Sequence, residues 1–212
     1  AYNLVVGGTG NAFKSANAGG LSPQANMNMY NNTVIGTGYR QQKVGEGGSL
    51  DFENGGRGNS YNNILVNCAF GLAVMGGGNS TPAADTANVK YGYTYNYGDN
   101  KDITSQFLPA GYITQQQASD INGGNNTTPG ANNPKFVNYS LPVAADFNFI
   151  ENDFVGSYDF HLQSSSPAVG KGFTGFQPYA VVKIDPVYGA TEITPPGKDI
   201  GAFQQDHTGN QH

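Results

Sequence analysis

The chain has 212 residues, a net charge of −5 and a charged fraction of only 12%, while 13 Tyr and 12 Phe supply large side chains to bury. That aromatic content argues against a disordered chain, and the lack of any basic cluster argues against nucleic acid or an anionic membrane surface as a partner. No apolar run approaches the roughly 18 residues of a membrane span, and the single cysteine, Cys68, leaves no internal disulfide and reads as a small buried hydrophobe.

Taken in chain order, the predicted elements are short strands at 4–6, 27–30, 33–35, 49–52, 63–66, 71–75, 89–97, 135–139, 158–162, 180–184 and 200–203. Gly, Asn, Ser or Pro punctuates nearly all of them, and 31 Gly with 25 Asn suit many tight turns, because these residues tolerate positive φ. Helical periodicity is scarce; 114–121, with Thr114 as a cap, and 104–108 are the two candidate segments. Polar, Gly-rich stretches at 41–48, 76–87 and 123–134 read as loops.

The strongest pattern is a near-repeat. Tyr30-Asn31-Asn32-Thr33-Val34-Ile35 returns as Tyr61-Asn62-Asn63-Ile64-Leu65-Val66 at an offset of 31 residues, and Tyr95-Asn96-Tyr97 reads as a weaker echo 34 residues further on. A unit returning every few tens of residues signals a repeat architecture. If successive units stack in register, equivalent Asn side chains lie about 4.8 Å apart, the spacing of paired strands, and their amides can hydrogen-bond up a ladder. Asn also accommodates a left-handed bend between two faces. The Asn pairs are therefore read as structural.

Several other residues carry chemistry that the pattern leaves open. Period-2 alternation over 91–97 places Tyr91, Tyr93, Tyr95 and Tyr97 on one face of a strand; facing inward they are core, and facing outward they form an aromatic strip suited to stacking on sugar rings. Asp99 and Asp102 bring oxygen ligands close enough to suggest Ca²⁺, without the order of a dedicated calcium loop. Asp146, Glu151, Asp153 and Asp159 offer carboxylates for glycoside hydrolysis, or are solvated acids on a connecting loop. His161 alternates with Phe160 and Leu162 and is expected to face outward; His207 and His212 lie in a polar tail over 205–212, beyond a single domain spanning 1–204.

The stretch from Tyr30 to Gly36, with Gly56 to Leu72, resembles the late coils of secreted bacterial right-handed parallel β-helix proteins of the pectate-lyase-like superfamily. Ser166-Pro167-Ala168-Val169-Gly170-Lys171-Gly172 followed by Asp199-Ile200-Gly201-Ala202-Phe203 is similar to the element that closes the last coil in many of them, though Gln204 stands where an acid is usual. The resemblance implies an all-β fold, a right-handed parallel β-helix or solenoid with protruding loops. It also implies an extracellular or cell-surface location, a polysaccharide or glycan partner, and an N-terminal β-helix portion or another chain covering the open solenoid end. Activity stays open, since such folds host lyases, binding modules and structural stalks. For a lyase, cations must neutralise a uronate carboxylate, and Arg40, Lys43 and Arg57 are the candidates, with Tyr39 beside them as a ligand contact. For a binding module, the Tyr91 to Tyr97 strip is the candidate surface.

Overall fold

The structure is a computed structural model that describes residues 1–8, 10–17, 22–38, 49–76, 82–98, 117–123, 132–139, 158–178 and 194–210. Among the described residues it is all-β apart from one 3₁₀ turn at Thr86–Asn88. The strands are β1 (Leu4–Val6), β2 (Phe13–Ala16), β3 (Asn26–Tyr30), β4 (Thr33–Ile35), β5 (Leu50–Glu53), β6 (Arg57–Tyr61), β7 (Ile64–Val66), β8 (Leu72–Val74), β9 (Val89–Gly92), β10 (Tyr95–Tyr97), β11 (Ile121–Gly123), β12 (Phe136–Asn138) and β13 (Asp159–Leu162).

From β1 to β10, every third strand enters the same sheet, and β11 follows β10 in the first of them. The orders are β1-β4-β7-β10-β11, β2-β5-β8 and β3-β6-β9, and all pairs within these three sheets are parallel. Each circuit of the chain thus lays one strand on each sheet, an architecture compatible with a β-helix or solenoid. The β12-β13 pair is separate and antiparallel.

The 31-residue offset is the circuit length at the second and third passes. Thr33 pairs with Ile64 and Ile64 with Tyr95, so Asn31, Asn62 and Tyr93 occupy one corner. All three have positive φ, at 49°, 59° and 53°, and Tyr2 holds the same corner of the first circuit at 55°. The third echo is therefore Tyr93-Thr94 at 31 residues rather than Tyr95-Asn96-Tyr97 at 34. This corner also breaks the expected 89–97 strand into β9 and β10, because a left-handed residue cannot continue an extended strand.

The second residue of each corner builds the ladder. Asn3 donates from its backbone N–H and its amide to Asn32 Oδ1, at 3.1 and 3.0 Å. Asn32 does the same to Asn63 Oδ1, at 3.1 and 2.8 Å. Asn63 Nδ2 then donates to the Met29 carbonyl at 2.8 Å and to Ser60 Oγ at 3.2 Å. In the fourth circuit Thr94 replaces Asn, and its N–H is taken by Asp120 Oδ1 at 2.8 Å. Burial raises the Asp120 carboxyl pKa, and the N–H groups of Thr94 and Gln117 work against that rise.

The apolar side chains form two cores. Met29, Val34, Leu50, Phe52, Leu65, Cys68, Leu72, Val74 and Val89 fill the space between the three sheets. Ile35, Ile64, Val66, Tyr95 and Tyr97 point the other way, into a core completed by Phe136, Phe160, Leu162, Ala168, Ile200, Ala202 and Phe203. The β1-β4-β7-β10-β11 sheet is thus buried on both faces. This explains why β4 and β7 read as continuous apolar runs rather than alternating ones, and each such Val, Leu or Ile contributes roughly 1.5–3 kcal/mol by its burial.

The C-terminal segment closes the second core through specific hydrogen bonds. Asp199, 5% exposed, accepts from the N–H of Gly170 and of Gln205, both at 2.7 Å. Gln204, 1% exposed, accepts from the Asp199 N–H at 2.8 Å and donates to the carbonyls of Asp199 and Gly201 at 3.1 and 2.9 Å. An ionised acid at 204 has no donor for those carbonyls. Gly201 has φ +104°, and a Cβ there would sit 2.6 Å from Ile64 Cδ1, so only glycine fits.

Other expectations are corrected. Residues 200–203 are a bend with one isolated bridge, Phe203 to Gly209, and not a strand. The helix expected over 114–121 is a turn within the described part, 117–120, leading into β11. Strands β2, β6 and β11 are made mostly of small or polar residues, and sequence reasoning passed over them. The predicted strand 180–184 and helix 104–108 lie outside the described residues.

Replacing Asn63 by Ala strands the N–H and amide donors of Asn32 in a fully buried position. Denaturant unfolding of Asn63→Ala should show a loss of at least about 2 kcal/mol, with the midpoint moved and secondary structure unchanged in the absence of denaturant.

Candidate functional site

Along β3, β6 and β9 the side chains alternate between the inner core and the outer face of the sheet. Met27, Met29, Val89 and Tyr91 belong to the inner core or pack against it. The alternate positions place Asn26, Asn28 and Tyr30 on the outer face of β3, Arg57, Asn59 and Tyr61 on β6, and Lys90 on β9. Their register is direct: Asn26 opposes Arg57, Tyr30 opposes Tyr61, and Asn28, Asn59 and Lys90 form one row across three circuits. Within that row Asn59 Nδ2 donates to Asn28 Oδ1 at 2.8 Å. Gly58 keeps β6 close to β3, since a Cβ there would lie 1.9 Å from the Met27 carbonyl oxygen.

Rings gather at the corner edge of this face. Tyr93 stacks on Phe173 with centroids 4.9 Å apart and planes 9° apart. Tyr61 meets Phe173 at 5.2 Å and Phe176 at 4.7 Å. Tyr30 meets Phe176 edge-on at 5.3 Å and donates its hydroxyl to the Thr194 carbonyl at 2.6 Å. Tyr61, Tyr93, Phe173 and Phe176 are half-buried, while Tyr30 is only 5% exposed. Burial raises the Tyr61 phenol pKa, with the neighbouring Tyr93 adding to the effect, so this hydroxyl stays a neutral donor through the neutral range.

The corner asparagines position the two phenylalanines. Asn62 accepts the Phe173 N–H on Oδ1 at 2.7 Å and donates to the Phe173 carbonyl at 2.9 Å. Asn31 accepts the Gly197 N–H at 3.0 Å and donates to the Asp199 carbonyl at 2.8 Å. Each corner amide therefore grips the backbone of the C-terminal segment. Sequence reasoning saw the Asn pairs as a ladder and missed this second use. The available signal was the period itself: residues 28, 59 and 90 are spaced by 31, as are 31, 62 and 93.

The expected aromatic face over 91–97 does not form. Tyr91 packs against the inner core, Tyr93 is the corner, and Tyr95 and Tyr97 are 0% and 3% exposed within the second core. The Tyr95 hydroxyl is satisfied by the Asn132 carbonyl, and the Tyr97 hydroxyl accepts from Asn133 Nδ2 at 3.3 Å. Of the four, only Tyr93 joins the outer ring cluster.

Arg57 opens β6 and pairs with Asp85, Nη1 to Oδ2 at 3.6 Å, while Asp85 also accepts two contacts from Asn88 Nδ2. Among the described residues its partner is thus Asp85, while the nearer acids Asp51 and Glu53 face Lys14. The Arg57 Nε is buried and has no hydrogen-bond partner among the described residues. Tyr39, Arg40, Lys43, Asp99, Asp102, Asp146, Glu151, Asp153 and His212 lie outside the described residues. Asp159 accepts from the His161 backbone N–H at 2.9 Å, and its Oδ1 lies 2.7 Å from His161 Nδ1, with the imidazole 4.9 Å from the Phe203 ring. Among the described residues no three His, Cys, Asp or Glu side chains come together as a metal cluster, and no helix is long and apolar enough to cross a membrane.

The adjacent β2-β5-β8 sheet carries a separate charged group. Lys14 Nζ lies 2.6 Å from Glu53 Oε1 and 3.9 Å from Asp51 Oδ2, and Asn11 Nδ2 donates to Asp51 Oδ2 at 3.1 Å. Asp51 is 2% exposed and its Oδ1 has no hydrogen-bond partner among the described residues. Burial, reinforced by the Glu53 charge and opposed by Lys14, pushes the Asp51 carboxyl pKa up to about 7.

Comparison with protein-family models, with curated proteins and with solved structures gives no match. The functional reading therefore rests on the residues and their geometry.

The Asp51 shift has a definite sign. The folded chain holds this proton up to about pH 7, whereas an unfolded Asp releases it near 4, so the group makes stability fall as pH rises between those values. Thermal unfolding across that range should show the slope in the parent chain and a flatter profile, with a higher Tm at the alkaline end, in Asp51→Asn.

Proposed function

We propose that the chain is a secreted or surface-displayed right-handed parallel β-helix module that binds glycan on the outer face of β3, β6 and β9. The support is one juxtaposition: the half-buried rings of Tyr61, Tyr93, Phe173 and Phe176 lie at the edge of a row of Asn28, Asn59 and Lys90, with Asn26 and Arg57 beside it. A sugar presents a flat C–H face and a rim of hydroxyls. Aromatic rings suit the first, and amides with cationic donors suit the second. The sheet order, the left-handed corner and the stacked asparagines support the β-helix part of the reading, and the similarity of the corner and closing motifs to secreted proteins supports the location. In the same reading, the edges of β1, β2 and β3, which have no further strand beside them among the described residues, take a further β-helix portion or another chain, because open edge strands recruit partners.

A glycan array probed with the whole chain tests the reading. Tyr93→Asn keeps the corner conformation that Asn already adopts at 31 and 62 while removing the ring. Binding should weaken by about fivefold or more in Tyr93→Asn and in Tyr61→Ser, with Tm close to the parent value. A silent array, or array binding indifferent to both substitutions, overturns it.

A further inference from the structure

We infer that Lys14 and Asp51 become joined by an amide bond that the folded chain forms on itself, a covalent tie between the first and second circuits with Glu53 as the proton acceptor. This is independent of the glycan reading. Parallel pairing of β2 with β5 sets Lys14 directly opposite Asp51 and Ala16 opposite Glu53. Alternation turns these four away from the inner core, because Phe13, Leu50 and Phe52 belong to it or pack against it. The three charged groups then stand together: Lys14 Nζ is 2.6 Å from Glu53 Oε1 and 3.9 Å from Asp51 Oδ2. On its other side Asp51 opposes Ala73 of β8, an uncharged methyl. Among the described residues β2 has a neighbour on one side only, so the bond fastens the strand that pairing alone holds least.

The surroundings give each group its role. Asp51 is 2% exposed, while the Glu53 and Lys14 side chains are 17% and 43% exposed. A buried carboxyl beside a second one keeps its proton. No donor reaches Asp51 Oδ1 among the described residues, so Oδ1 is the oxygen that carries this proton and shares it with Glu53. A protonated carboxyl is open to attack by an amine, whereas a carboxylate repels it. Asp51 Oδ2 accepts from Asn11 Nδ2 at 3.1 Å, which polarises the carbonyl and stabilises the negative charge that develops there. Lys14 Nζ passes one proton to Glu53 and attacks Asp51 Cγ, forming the C–N bond. The Cγ–Oδ1 bond breaks as Glu53 hands that proton to the departing hydroxyl, which leaves as water. Nζ passes a second proton to Glu53, which releases it to solvent, and the third stays on the amide nitrogen. Nothing is oxidised or reduced. Strand pairing makes the condensation intramolecular, and burial of the acid end shields the amide from the water that would reverse it.

Intact-mass measurement of the whole chain, followed by tryptic mapping in denaturant, tests the inference. Chain recovered unfolded and then refolded should start at the mass of its sequence and lose one water as it stands folded. Trypsin should then fail to cut after Lys14, and the fragment spanning 1–40 should emerge joined to the one spanning 44–57. Lys14→Arg and Asp51→Ala should keep their full mass. Glu53→Gln, which holds the shape but accepts no proton, should form the bond about a hundredfold more slowly. The pH slope of the free Asp51 carboxyl should be present in chain still at full mass and fade as the bond accumulates. A parent that keeps its full mass through prolonged folded incubation overturns the inference. So does a water loss that persists in Lys14→Arg, or one confined to a single tryptic fragment, which marks ring closure at an acid rather than a cross-link. The parent chain alone gives these readings, whether or not each variant folds.

Discussion

The structure depends on a corner held in the left-handed region. Tyr2, Asn31, Asn62 and Tyr93 all adopt it, and L-residues do so at a cost of about 1–2 kcal/mol each, less for Asn. What sustains the corner is the residue after it, whose side-chain oxygen accepts the N–H of the equivalent residue one circuit earlier. Because each rung satisfies the rung before, the corners must coincide, and that fixes the register of every strand that leaves them. The geometry fixes the alignment and not the length: the circuits close at 29 residues from Leu4 to Thr33 and at 31 from Thr33 to Ile64 and from Ile64 to Tyr95, and the difference is absorbed between the strands.

Once the corners are fixed, side-chain direction follows, and with it the division of labour among the three sheets. One sheet is buried on both sides and contributes only packing. The β2-β5-β8 sheet carries an acid pair and a lysine on its outer side. The β3-β6-β9 sheet carries a polar row that runs from half-buried Asn28 through buried Asn59 to exposed Lys90, with a cluster of half-buried rings at its edge. The tyrosines that looked interchangeable in the sequence are separated by this division: a corner at Tyr93 turns Tyr91 inward against one core and Tyr95 and Tyr97 into the other.

The stacking of circuits was legible because Asn in pairs has few other reasons to recur before short apolar runs. Strands β1 and β4 were legible to the residue, since their apolar runs are bounded by Asn and Gly. The split of 89–97 was not, because nothing local to Tyr93 announces positive φ; only its alignment with Asn31 and Asn62 does. The ring cluster was hidden for a different reason. Phe173 and Phe176 lie more than a hundred residues from Tyr61, and what places them is a backbone contact from Asn62, which leaves no pattern in the residue types. Arg57 illustrates the same limit, since its partner Asp85 belongs to the following circuit.

Stacked repeats ordinarily behave as a one-dimensional array, in which each unit feels only its neighbours and can open separately. The C-terminal segment changes that here. Between Phe173 and Gly201 it touches Tyr2, Tyr30, Asn31, Asn62 and Tyr93, one or more groups from every one of the first four corners. It runs across the rungs like a batten nailed to each. A circuit cannot open without tearing its own contact with a segment that the other circuits still hold, so local openings are coupled and the array unfolds as one unit.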